Sequence, residues 1–150
     1  MSKIQVVLAK AHVPQQDNPD IQRELKDVQL FFDQNDFPFE TGTIYFVILR
    51  GLYLKLERKL NVIGAFVNKT GFPVDGFRAA LSLHAVGNEQ ARFAEAELDF
   101  TPQFLGRLQP EEAFLLHIHV PAEGLDPEKD SYDATELGGT LSDLEILVQK

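Results

Sequence analysis

Hydrophobic and polar residues alternate with period two through most of this chain. Phe77, Ala79, Leu81, Leu83 and Ala85 alternate with Arg78, Ala80, Ser82 and His84, the pattern of a strand with one face buried. Ala94, Ala96, Leu98 and Phe100 face away from Glu95, Glu97 and Asp99 in the same way. Over 112–120, Phe114, Leu116, Ile118 and Val120 form a core face, while Leu115, His117 and His119 point away from it. A weaker alternation predicts a first strand over 3–11, ended by Pro14. A long strand over 43–56 is predicted to break at Gly51, because glycine inside a strand marks a bulge or bend. A Gly-centred strand follows over 60–67, and a last strand over 140–148 is predicted to bury Ser142, Leu144, Ile146 and Val148. Residues 68–76 and Gly87-Asn88 are turn chemistry, 101–110 a corner, and 121–139 a long acidic loop.

One segment has a different period. Ile21, Leu25, Val28 and Phe32 recur at helical spacing, after Asn18 as N-cap and Pro19 at the first helical position. A single amphipathic helix over 19–33 is predicted, with its apolar stripe on the sheets. Phe31, Phe32, Phe37 and Phe39 make a dense aromatic cluster around its end and the loop after it. Two roles suit such a cluster: filling the seam between helix and sheet, or an exposed surface for a protein partner.

Composition narrows the function. At 150 residues the chain is long enough for one domain, 1–150, with a sizeable core. No apolar run approaches the ~18 residues of a membrane span, so no membrane insertion is expected. The first residues lack the apolar core of a signal peptide, which predicts a cytoplasmic chain. A net charge of −9 opposes nucleic acid and anionic membrane surfaces. With no cysteine there is neither a disulfide framework nor a thiolate metal site. With no tryptophan, a common flat platform for sugars is also missing.

Candidate chemistry is sparse. His117 and His119, two apart on a strand, share a face and could place two imidazoles on one metal. A third ligand would have to come from His84, His12, Glu95 or Glu97; otherwise both histidines are simply half-exposed on a solvated face. Asp126-x-Glu128-x-Asp130 begins like a calcium loop, but Ser131 and Leu137 stand where glycine and glutamate are required. There is no Gly-x-Ser-x-Gly elbow and no nucleotide-binding glycine pattern, and Ser82 with His84 has only the same-face spacing any strand gives. Neither an enzyme nor a resident cofactor is expected.

Gly64-Ala-Phe-Val-Asn68 followed by Phe72-Pro-Val74, the alternating strands 79–83 and 94–100, the Leu108-x-Pro110 corner and the closing strand 114–121 together resemble the SLAP domain. That family is named for S-layer assembly proteins of Gram-positive bacteria. The likeness covers about residues 20–121, and short Ig-like modules of the FxLYD type share part of it. The chain departs from the pattern in lacking a tryptophan in the closing strand. The resemblance implies a non-enzymatic accessory protein that assists assembly or secretion of surface-layer proteins, with no catalytic residues to carry over.

The sequence thus predicts a mainly β, Ig-like antiparallel sandwich of about seven strands with one packed N-terminal helix. Its predicted role is a protein-binding accessory module whose partners are protein clients or export machinery. Clients would add to a free strand edge, with Phe31, Phe32, Phe37 and Phe39 supplying pockets. The alternative is a metal- or small-ligand-binding sandwich using the His117/His119 face.

Overall fold

A computed structural model describes residues 4–35 and 42–147. Asn18 opens helix α1, Pro19–Gln34, where predicted: its side-chain oxygen accepts the Asp20 amide at 2.8 Å, and Pro19 has no N–H to leave unsatisfied. The strands are β1 (Gln5–Val7), β2 (Ile44–Leu54), β3 (Lys59–Asn68), β4 (Gly76–Ala85), β5 (Arg92–Phe93), β6 (Ala96–Phe100), β7 (Glu112–Glu123), β8 (Ser131–Asp133) and β9 (Leu137–Leu147). A one-turn helix, α2, spans Pro102–Leu105. The protein is mainly β, as expected. Two sheets form a sandwich: a larger one in the order β1-β7-β3-β2-β8, with β5 also on β7, and a smaller one in the order β6-β4-β9. All pairings are antiparallel except β1 on β7, which is parallel. After β1 the chain leaves the sheet through a 3₁₀ turn, Lys10–Gln15, and does not return as a hairpin.

Between the sheets Phe66, Phe77, Phe100 and Phe114 form one aromatic cluster, with Phe66 stacked on Phe114 at 5.2 Å between centroids. A second apolar layer lies on the other face of the large sheet, where Val28 and Phe32 of α1 pack on Ile63, Ala65, Val67, Ala113 and Leu115. Helix, large sheet and small sheet are therefore three stacked layers. This explains the unbroken apolar run of β3, a strand buried on both faces. It also corrects the expectation for Leu115, which points away from the aromatic core but is buried under α1.

Three other expectations change. The stretch 121–139 is not all loop: it contains β8 and the start of β9, anchored by buried Leu125, Tyr132 and Leu137. In β9, Asp143 sits at φ 54° in a bulge opposite Ala79, which shifts the alternation by one. Leu141 and Leu144 both pack on the core as a result, and Ser142 is exposed. Val148 lies outside the described residues. In β2 the irregularity falls between Ile48 and Arg50 rather than at Gly51. Gly51 instead admits a neighbour, since a Cβ there would lie 2.8 Å from Leu137 Cδ1.

A buried polar corner joins β3 to the turns on either side of it. Asn68 is fully buried. Its amide nitrogen donates to Phe72 O at 3.0 Å and Leu108 O at 2.9 Å, and its oxygen accepts from Thr70 N at 3.0 Å and Thr70 Oγ1 at 2.6 Å. Beside it Lys69 Nζ meets Glu111 Oε2 at 2.7 Å. The Asn68 and Phe72-Pro-Val74 motifs are thus the residues of one interlocked corner, closed by the Val74–Leu108 bridge. Among the described residues no helix is long and apolar enough to cross a membrane.

Candidate functional site: an open interval on the β7 edge

β7 pairs with β3 from Ala113 to Pro121. Its other edge is occupied only near its ends. β1 pairs with residues 112–114, and β5 with Glu123 and Ala122. The Gln5 amide donates to Glu111 O at 3.0 Å, and the Ala94 amide to Pro121 O at 3.0 Å. Between these two clips, over 115–120, no described strand pairs with the outer edge of β7.

The direction of the main-chain groups follows from the neighbouring bonds. The Ala122 amide donates to Arg58 O on the β3 side at 2.9 Å, whereas Pro121 O is turned outward to Ala94. Groups alternate along a strand, so odd-numbered residues of β7 face the outer edge. His117 and His119 therefore turn their N–H and C=O groups to an edge with no described strand opposite. Pro121 shares their phase; the N–H it lacks is one that would face outward, which is where proline is tolerated in a sheet.

Each face of the interval has its own character. On the helix side, His117 Nε2 contacts Glu24 Oε1 of α1; the His117 side chain is 42% exposed and that of Glu24 is 18% exposed. His119 is exposed and stands opposite Asn61 of β3. Asn61 Oδ1 is buried and accepts no hydrogen bond among the described residues. On the sandwich side, Leu116 and Leu98 are half-buried against the aromatic core. Residues 94–95 carry the chain from β5 to β6, and Phe100 of β6 meets Phe114 of β7 at 5.2 Å between ring centres.

Other edges are blunted. β6 is short and exposes Glu97 and Asp99, β8 is three residues long, and β9 is bulged at Asp143 beside Glu145. The outer edge of β1 is covered by a side chain: Gln29 Oε1 accepts the Val6 amide at 2.8 Å, and Gln29 Nε2 donates to Ile4 O at 2.8 Å. On the opposite flank a cleft of about 430 Å³ separates Ile44 and Phe46 from Gly139, Leu141 and Asp143, with the bulged β9 as one rim.

The residues singled out in the sequence fall as follows. Phe32 is buried in the helix–sheet seam, Phe31 is half-buried and edge-on to it at 6.0 Å, and Phe37 and Phe39 lie outside the described residues. The four candidates for a third metal ligand are elsewhere. His12 packs on Phe104 at 5.2 Å and His84 lies over Gly138; Glu95 approaches Ser82 Oγ at 3.4 Å, and Glu97 stands opposite Ala80. Among the described residues no group of three or more histidines and carboxylates could hold a metal ion. The loop acids are engaged with one another's neighbours: Lys129 Nζ meets Glu136 Oε2 at 2.6 Å and lies 5.0 Å from the Tyr132 ring centre. The Lys129 hydrogen bond holds the Glu136 carboxyl below its ordinary value, and the Thr135 hydroxyl does the same for Asp133. Burial pushes the Tyr132 phenol up.

The open interval was not legible as such in the sequence, since it depends on strand order. Its one trace is Pro121, in phase with His117 and His119 on a strand that is central by its hydrophobicity. Protein-family models, curated proteins and solved structures were compared with this chain, and none matches.

Proposed function

We propose that this protein is a protein-binding accessory module that takes an extended client segment as an added strand on β7. The observation that supports this is the outward-facing main chain of His117 and His119, between clips formed by β1 and β5. Strand addition draws affinity from main-chain hydrogen bonds and selectivity from side chains alternating between the two faces. No nucleophile or metal is needed for it. The net charge of −9 favours basic clients. The resemblance of about residues 20–121 to the SLAP pattern supports surface-layer proteins, or the export machinery that handles them, as those clients.

A single proline tests the edge. His119→Pro removes one outward N–H and touches no bond to β3, so the fold should survive, as it does with Pro121. Ile118→Pro, one residue away, removes an N–H directed at β3 and should destabilise the sheet by roughly 3 kcal/mol or more. Peptides selected on the wild-type protein from a random display library should lose binding to His119→Pro, with the circular dichroism spectrum unchanged. Peptides that bind His117→Pro and His119→Pro as well as the wild type would overturn the proposal.

A further inference from the structure

We infer that the segment taken at the β7 interval alternates apolar and cationic residues, with the cationic ones on the helix side. This rests on the strand-addition reading and adds the chemistry of the client. In a sheet, directly opposed residues point to the same face. A residue entering opposite His117 or His119 would face α1, and one entering opposite Leu116 or Ile118 would face the seam between the sheets.

The two faces ask for different side chains. The seam offers half-buried Leu116 and Leu98, so an inward residue gains by being apolar. The helix side offers acceptors. Glu24 is a carboxylate largely shielded from solvent, with one oxygen on His117. The long stem of a lysine or arginine lying over His119 carries its charge to the helix side, where Glu24 stands. A charged donor is favoured over a neutral one, because hydrogen bonds to a cation are stronger and Glu24 carries the opposite charge.

β7 of a second copy of this chain does not fit as the occupant. The interval covers 115–120, about 20 Å at ~3.3 Å per residue. β7 of another copy is 12 residues long, and its ends would collide with β1 and β5. A flexible segment that joins the sheet over a few residues and leaves it at both ends fits the boundaries.

The test uses capped synthetic hexapeptides and the full chain: Lys-Val-Lys-Val-Lys-Val, its Glu-Val-Glu-Val-Glu-Val counterpart, and the lysine peptide N-methylated at alternate residues. Affinity is read by titration, and location by amide hydrogen exchange at His117 and His119. The lysine peptide should bind about tenfold or more tightly than the glutamate peptide. It should slow exchange at those two amides, and lose affinity on N-methylation. Glu24→Gln should narrow the preference between the peptides. If both peptides slow exchange at His117 and His119 equally, the cationic inference is overturned and strand addition stands. If neither peptide changes exchange there, both fall.

Discussion

Replacing Asn68 by alanine should be among the more damaging single changes outside the aromatic core. The side chain is fully buried and makes the four hydrogen bonds of the β3 corner, at 2.6 to 3.0 Å. The four are not equal. Without Asn68, Leu108 O keeps the Val74 amide at 2.9 Å, and Phe72 O keeps the Thr70 hydroxyl at 2.9 Å. The Thr70 amide loses the acceptor Asn68 provides, in a residue only 8% exposed. A stranded buried donor costs about 1–3 kcal/mol, and each lost bond whose partner stays satisfied about 0.5–1.5 kcal/mol. Together these give about 2.5–7.5 kcal/mol, a large share of the ~5–15 kcal/mol that stabilises a domain. Urea unfolding followed by far-ultraviolet circular dichroism measures this directly, and the chain has no tryptophan to follow by fluorescence. The melting temperature should fall by roughly 5–30 °C.

Asn68→Asp sharpens the same argument. It keeps the acceptor for Thr70 but turns a carboxylate oxygen toward the Phe72 and Leu108 carbonyls. Ionisation there is opposed, so the folded-state pKa of the new carboxyl rises. Its penalty is then full at neutral pH, and it disappears as the pH falls below the ordinary aspartate value near ~3.9. Relative to Asn68→Ala, Asn68→Asp should be less stable at pH 7 and should recover near pH 4. An Asn68→Ala variant within ~1 kcal/mol of the wild type, or an Asp variant whose deficit is independent of pH, would refute the reasoning.

Two further predictions concern other parts of the fold. Gly64→Ala puts a Cβ 2.6 Å from Phe46 Cε1 and 2.9 Å from the Val47 carbonyl, so it should cost about 1–3 kcal/mol in urea unfolding, partly restored by Phe46→Leu; a wild-type midpoint would disprove the clash. The Glu136 and Asp133 carboxyls lie below their ordinary values of 4.5 and 3.8, so their contribution to holding the β8 turn is present above those values and lost as pH falls through the lower folded ones. Amide protection factors for Ser131, Tyr132 and Asp133 should drop on acidification before those of β3 do, and equal protection down to pH ~3 would exclude this linkage.

The parts of the fold legible in the sequence are those with long, unbroken periodicity. α1 was fixed by Asn18-Pro19 and a four-residue apolar stripe, and β4 and β6 by clean alternation. β8 was hidden because a three-residue strand with one buried side chain, Tyr132, has no period to detect. β9 was found, but its faces were misassigned over the first half, because one extra residue at Asp143 puts Leu141 and Leu144 on the same side. Leu115 was misread for a tertiary reason: alternation tells which residues share a face, not whether a helix covers it. The histidines were correctly placed together on one strand face. What the sequence could not tell was that their main chain lies at an edge, because no local pattern says which strand comes next in a sheet.

Gln29 carries a mechanical implication. Its amide group gives β1 both a donor and an acceptor, so the helix serves β1 as a neighbouring strand would. Release of α1 from the large sheet strips β1 of that support and leaves three residues held on one side only. Helix and strand are in this way coupled as one flap on the sheet. Lifting it would extend the exposed stretch of β7 back to Glu112, and with it the length of chain that the edge can hold.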